Sequence, residues 1–478
     1  MDKKPNVVLI MFDHQLYYKH AYGSNRVKLP KFDEFLEEST LFENAFSVSP
    51  LCGPARRSIL DGLYPHEHGQ TVNQMTAVSE RTYFDVINEQ GYDSYYFGKW
   101  HAGKGQPSDF GCKGFSPKGY NNPYVHDDYR QYLKERGLPM AHGLVEFSES
   151  DVEYFPISSN VDLSSFPQLY TLTFGRLTTP EDTHECFYLA NRACEAIRSR
   201  NRENADKPFM IRVDFWGPHQ PYFPTEKYLD MYDAHSIDMY GSFYDDLKDK
   251  PAVYRNENAV TLSKNHEIIY PNPQTTENWQ KMLRYAYATN TMCDAAAGRI
   301  IETLKEEGLY DDTIVIWSAD HGDALGSHGG HIDKNCYLSE EVCRIPLAVH
   351  NPFGGKVRIS RSLVSNLDIP ATIVDACGNE TIGNEAKSLL NLTKNDACGR
   401  EYFVIETHGH FQPHFGRGVC YQNYRYVYNK DMIDELYDLE SDPYELNNLI
   451  NDPNYEDVKQ KLKGFLREWQ EKTNDTII

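Results

Sequence analysis

The sequence predicts an α/β fold built on a mainly parallel sheet flanked by helices. Three observations carry this. Four short apolar runs each end in a break rich in Gly, Asp and His; helical stretches lie between them; and two of the runs are almost unbroken hydrophobes, as strands covered on both faces should be. With 40% apolar and 25% charged residues, composition excludes a disordered or fibrous chain.

Residues 7–12 read as the first strand and run straight into Asp13 and His14. A helix is expected over 31–38. A strand at 92–97 leads to Gly98, Lys99, Trp100 and His101, and another at 209–215 leads to Gly217, Pro218 and His219. Over 278–307, Met292, Ala296, Ile300 and Leu304 recur at i+4, with Gly308 placed as the C-cap. The strand at 313–318 precedes Asp320, His321, Gly322 and Asp323. Parallel sheets bind ligands outside the carboxyl ends of their strands, so four polar clusters after four strands mark one convergent site. From about residue 400 the texture changes. Residues 402–406 and 425–428 read as strands of a smaller sheet. Residues 456–472 read as an amphipathic helix with Val458, Leu462, Phe465 and Trp469 on one face. A boundary near residue 385 divides a main domain, 1–385, from a C-terminal subdomain, 386–478.

Asp and Glu number 70 against 48 Lys and Arg, a net charge of −22. A field of that sign repels polyanions and argues against nucleic-acid binding. An anionic substrate would need a local cluster of Lys, Arg, His or metal. No run reaches the roughly 18 apolar residues of a membrane span. The apolar core at 7–12 is too short for a signal peptide and no small-residue cleavage site follows it. A cytoplasmic location is therefore expected, with the 10 scattered cysteines as reduced thiols. The sequence carries no signature of an oligomeric state.

The most informative segment is 49–62, containing Cys52, Gly53, Pro54, Ala55, Arg56 and Arg57. Pro54 suits the first position of a short helix. Cys52 would then stand beside a helix N-terminus, where the dipole favours an anion.

Cys52-Gly-Pro54-Ala-Arg56 fits C-x-P-x-R and resembles the signature of type I sulfatases. Gly98-Lys99-Trp100-His101 is similar to the family's G-K-W-H segment. Asp320-His321-Gly322-Asp323 through His328-Gly329 resembles its metal segment, and Leu436 through Leu449 its C-terminal L-Y-D-L-x-x-D-P-x-E-x-x-N-L. The four matches stand in family order and span nearly the whole chain. The resemblance implies an alkaline-phosphatase-like α/β fold with a small C-terminal α+β subdomain containing an antiparallel sheet. It implies Cys52 oxidised to formylglycine by a maturase, one divalent metal and a small anionic sulfate ester as substrate. The activity implied is hydrolysis of sulfate monoesters, such as sugar or aryl sulfates. Related phosphonate monoester and phosphodiester hydrolases share most of these features and form the alternative.

Position by position, the resemblance implies metal binding by Asp13, Asp320, His321 and residue 52. His14 departs from the family, where sulfatases often have aspartate and phosphonate hydrolases glutamine. Ca²⁺ is the family's usual ion, but an imidazole at this position suits Mn²⁺ or Zn²⁺ better than Ca²⁺ or Mg²⁺. Arg56 matches the arginine that holds the formylglycine hydrate. Lys99 and His101 can share one face if extended geometry continues past the strand. His219 matches a histidine near the leaving oxygen and Lys334 a lysine that grips sulfate. Either could protonate the leaving group, with His101 receiving the proton of the second hydroxyl. His66 and His68, His328 and His331, and His408, His410 and His414 lack complete ligand spacing for a metal.

Overall fold

The computed structural model describes residues 4–17, 27–116, 122–148, 158–165, 173–203, 206–259, 263–264, 267–268, 275–355, 357–378, 381–395, 399–410 and 412–477. Its centre is an eight-stranded sheet. The strands, in chain order, are β1 (Asn6–Asp13), β2 (Thr40–Phe46), β3 (Asp93–Gly98), β4 (Lys113–Phe115), β5 (Phe209–Pro218), β6 (Thr313–Ala319), β7 (Leu347–His350) and β8 (Ile359–Ser365). Their spatial order is β8-β2-β7-β6-β1-β5-β3-β4. Every pairing is parallel except those of β7, which runs against both β6 and β2.

β1 is buried at every position and lies between β6 and β5, with Ile10 level with Trp317 on one side and Val213 on the other. A strand covered on both faces needs no polar alternation, which explains the unbroken run Val7–Phe12. The main helices are α1 (Pro30–Leu36), α2 (Cys52–Asp61), α3 (Glu185–Glu203), α4 (Thr276–Glu306) and α5 (Asp368–Gly378). α3 and α4 pack on each other and on β5, and α2 packs on α5. α4 is capped by Thr275, whose side chain accepts from the Asn278 N–H.

β3, β5, β1 and β6 are adjacent and parallel, so their carboxyl ends share one edge. That edge carries all four polar clusters of the sequence. Between Met11 and Asp13 the β1–β5 register shifts, and such an irregularity re-aims a side chain at a strand end.

Pro54 is not the first residue of its helix, the position the sequence suggested. The helix after residue 51 starts at Cys52 with Leu51 extended before it, and Pro54 is its third residue. Pro54 is tolerated there because the first four N–H groups of a helix have no internal acceptor. The helix ends at Gly62 in the left-handed conformation, φ 73°.

The C-terminal part is a four-stranded antiparallel sheet of β9 (Phe403–Thr407), β10 (Gly416–Tyr421), β11 (Tyr424–Asn429) and β12 (Glu435–Asp438). α6 (Glu456–Thr473) buries Leu462, Phe465, Leu466 and Trp469 against it, each worth roughly 1.5–3 kcal/mol. The same apolar cluster contains Phe46, Val48, Ala55 and Leu367. The small sheet is thus fused to the region around α2. No helix among the described residues is long and apolar enough to cross a membrane.

Candidate active site

Cys52, the first residue of α2, is fully buried at the strand edge. Its Sγ lies 3.1 Å from His321 Nε2 and 3.6 Å from Asp13 Oδ1. Burial and Asp13 raise the thiol pKa, but Lys334, Lys99 and His321 outweigh them and bring it down to about 7. Next along the helix, the Gly53 N–H donates to Asn73 Oδ1 at 3.0 Å. One turn on, Arg56 Nε donates to Asp320 Oδ2 (2.8 Å), while Nη1 donates to Asp214 Oδ2 (2.7 Å) and to the Lys99 carbonyl (3.1 Å). Asp214 is held in turn by Arg212 on its own strand.

Lys99 Nζ pairs with Asp13 Oδ2, both completely buried. Burial opposes ionisation of Asp13, yet Lys99 and Arg56 hold its carboxyl well below the usual range. Lys334 Nζ donates to His14 Nε2 (2.8 Å) and Asp333 Oδ1 (2.8 Å) and faces His219 Nε2 at 3.5 Å. Despite burial, Asp333 and Cys52 push the Lys334 pKa above its usual value. His219 Nδ1 donates to the Gln220 carbonyl at 2.6 Å. Burial, then Lys334, pulls the His219 pKa down to about 3. His101 Nε2 donates to the Asn73 carbonyl at 3.3 Å, and burial followed by Lys99 lowers its pKa to about 3 as well. β3 ends at Gly98 and His101 adopts φ 48°, so extended geometry does not continue from Lys99 to His101. The two side chains turn to different partners, one to Asp13 and the other to the Asn73 loop.

Asp13, His14, Cys52 and His321 are buried and each offers a donor atom within 4.8 Å of the others. His14 Nδ1 stands 3.0 Å from Asp323 Oδ2, and with a carboxylate on that nitrogen, Nε2, which accepts from Lys334 here, would serve a metal once Lys334 is displaced from it. His321 Nδ1 donates to the Gly322 carbonyl at 2.8 Å and turns Nε2 inward in the same way. This mixed oxygen and nitrogen set fits a divalent cation. Asp320 lies against the group, its Oδ1 3.7 Å from His321 Nε2. Its Oδ2 accepts from Arg56, while Oδ1 accepts the His321 and His14 N–H groups at 2.9 and 3.4 Å.

Sequence reasoning named Cys52, Arg56, Lys99, His101, His219, Lys334, Asp13, His14, Asp320 and His321; the fold gathers them at one strand edge, with His101 turned to the Asn73 loop. It missed Asp214, Asp323, Asp333 and Asn73 as partners. Asp323 lies in the quoted metal segment and Asp333 precedes Lys334, so proximity was the available signal; Asn73 and Asp214 had none. His66 pairs with Glu406 (2.9 Å), His68 with Ser58 (3.0 Å) and His414 with Asn429 (2.7 Å), all apart from the site. His410 reaches Asn73 Nδ2 at 3.2 Å, so the C-terminal part touches the loop that carries the His101 acceptor.

The sulfatase family profile matches residues 5–379, and that of the N-sulphoglucosamine sulphohydrolase C-terminal region matches residues 326–472. The chain belongs to the sulfatase family. It is a sulfuric ester hydrolase with the alkaline-phosphatase-like fold. It is 26% identical to the sulfatase YidJ of Escherichia coli over 99% of this chain and 88% of that one. A protein solved in complex with D-glucosamine-2-N,6-O-disulfate superposes with a TM-score of 0.74 at 20% identity, covering 99% of both chains. The phosphonate monoester hydrolase of Silicibacter pomeroyi superposes with a TM-score of 0.77 at 19% identity, covering 98% of this chain and 96% of that one.

Proposed function

We propose that this sulfatase hydrolyses sulfate monoesters of sugars or aryl alcohols, with Cys52 converted to formylglycine and one divalent metal at Asp13, His14, residue 52, Asp320 and His321. The observation that carries the reading is the placement of Cys52 at the start of α2 between Asp13 and His321, with Lys334 and Lys99 closing a buried cationic pocket. A divalent cation bound there would neutralise an anionic ester and lower the pKa of an oxygen nucleophile. The hydrated aldehyde would supply one oxygen to attack sulfur and a second hydroxyl whose deprotonation expels sulfate and restores the aldehyde. A maturase is then a required partner.

The chain's own groups divide the remaining work. Lys334, protonated, donates to the leaving oxygen. Neutral His219, with Nδ1–H fixed on the Gln220 carbonyl, turns an acceptor nitrogen to Lys334 and orients it. Neutral His101, with Nε2–H on the Asn73 carbonyl, presents Nδ1 as the acceptor for the hydroxyl proton. Arg56 is fully engaged at Nε and Nη1, which fixes Asp320 and Asp214 around residue 52. Preorganised charge of this kind in a closed site is usually the largest contribution to rate.

His14 in place of a second acid favours one alternative, a phosphonate monoester or phosphodiester hydrolase. The deciding experiment compares kcat/KM of the matured enzyme on matched sulfate, phosphonate and phosphodiester substrates, the quantity that reports transition-state discrimination. Sulfate esters are expected to lead. A clear preference for phosphonates or phosphodiesters overturns the sulfate assignment.

A further inference from the structure

Apart from that pocket, three side chains distant in sequence meet in the interior. His328 follows the strand-end cluster of β6, Glu341 lies before β7, and Glu445 follows β12 in the C-terminal part. His328 Nε2 lies 3.2 Å from Glu341 Oε2 and 3.8 Å from Glu445 Oε2, and the three side chains are at most 3% exposed. Each offers a donor atom within 4.8 Å of the other two. On the opposite side of the ring, Nδ1 faces Asp245 Oδ2 at 3.8 Å. Glu341 Oε1, His328 Nδ1 and Asp245 Oδ2 are buried without a hydrogen-bond partner among the described residues.

The carboxylates of Asp245, Glu340, Glu341, Glu435 and Glu445 face three fixed cations, Lys250, Arg344 and Arg425. Against burial and Lys250, Glu341 and Asp245 raise the His328 pKa, and burial raises that of Glu445, so protons shared in the cluster offset the excess of carboxylates. Buried charges are paired or bind metal, and one divalent cation would take the place of those protons.

We propose that His328 Nε2, Glu341 and Glu445 bind a second divalent ion, a structural one of the Zn²⁺ or Mn²⁺ type. An imidazole with carboxylates suits these borderline ions better than Ca²⁺. Asp245 stands 3.8 Å from the far ring nitrogen, and closing that gap would complete the carboxylate–histidine–metal arrangement that fixes tautomer and orientation. Arg425 Nη1, 3.3 Å from Glu445 Oε1, orients that carboxylate in the same way. The unpartnered Glu341 Oε1 lets its carboxylate bind through both oxygens and complete a closed set, as structural sites require. The ion ties the segment that carries Asp320, His321 and Lys334 to the C-terminal part, so it would hold the active-site edge without touching substrate.

The test is metal stoichiometry on the full-length enzyme, loaded with Zn²⁺ and freed of excess. The unsubstituted enzyme should hold two equivalents. Asp13→Ala should keep one, and its X-ray absorption spectrum should report one imidazole with oxygen donors. Adding Glu341→Gln or Glu445→Gln to Asp13→Ala should remove that equivalent. If Asp13→Ala holds no Zn²⁺, or holds an ion bearing two imidazoles as His14 and His321 would supply, the proposal fails. It fails equally if the ion survives the glutamine substitutions. Should the double variants not fold, Asp13→Ala alone decides.

Discussion

Cys52 is where a single atom decides the reading. Exchange of its thiol for a carbonyl oxygen lowers the mass of the peptide by about 18 Da, or by close to zero when hydrated. Mass spectrometry of the active enzyme should find one of these forms, and an unmodified thiol in fully active protein would reject the formylglycine assignment. Cys52→Ala should fold yet lose turnover. Asp13→Ala should lose one equivalent of metal relative to the unsubstituted enzyme, together with its activity. Lys334 and His219 divide differently. Loss of a general acid typically costs roughly 10²–10⁴-fold, and more for a poor leaving group. Lys334→Ala should therefore lose far more rate on an alkyl or sugar sulfate than on a nitrophenyl sulfate. Equal losses on both would leave Lys334 only the gripping of sulfate. His219 and His101, both drawn down to about 3 chiefly by burial, stay neutral throughout the neutral range. The sequence displayed these residue types openly because each stands beside a strand end or within a recognisable segment. It could not display Asp214 behind Arg56, since that role exists only once strands are side by side.

At the scale of elements, β1, β3, β5, β6, β9 and β11 were legible, while β2, β4, β7, β8, β10 and β12 were not. β1 and β6 announce themselves as continuous apolar runs. β2 carries Glu43 and Asn44 at half-buried positions, β7 has only four residues, and β8 is a half-exposed edge. Such strands lack the run or the clean alternation that pattern reading needs. β3 shows how one backbone position sets the site. Gly98 has φ 113°, and a Cβ there would lie 2.0 Å from the Asp214 carbonyl oxygen. The close approach sets β3 against β5 immediately before Lys99 leaves for Asp13. Gly98→Ala should then cost about 1–3 kcal/mol from left-handed backbone strain alone, and more from the clash. Denaturant unfolding should register that loss. It should also lower kcat at saturating substrate through misplacement of Lys99, and unchanged stability would show that the strands can part without penalty.

Across the whole molecule, Glu406 joins the small sheet to the rest. It leaves β9 completely buried and accepts from His66 Nδ1 (2.9 Å) and from the His66 backbone N–H (2.8 Å), with Arg417 Nη2 at 3.3 Å. Burial opposes its ionisation, but Arg417, His408 and His66 hold its carboxyl well below the usual range. A carboxylate depressed in the folded state adds stability that is present above its unfolded pKa of about 4.3. That contribution is lost as pH falls through the lower folded value. His66 shifts the other way: burial lowers its pKa, the Glu406 contacts outweigh burial, and the net pKa is raised. Its contribution is full below its unfolded pKa of about 6.5 and fades as pH rises through the folded value. The joint should therefore be strongest between about pH 5 and 6.5. Removing one partner of a buried ion pair costs about 3–5 kcal/mol. Glu406→Gln should fall at the lower end, because Arg417 keeps Asp475 at 2.9 Å. Urea unfolding at pH 6 should record that loss, and the gap between the two proteins should narrow as the pH is lowered towards 3. A gap that stays constant across the acid range would mean that Glu406 acts by shape rather than by charge.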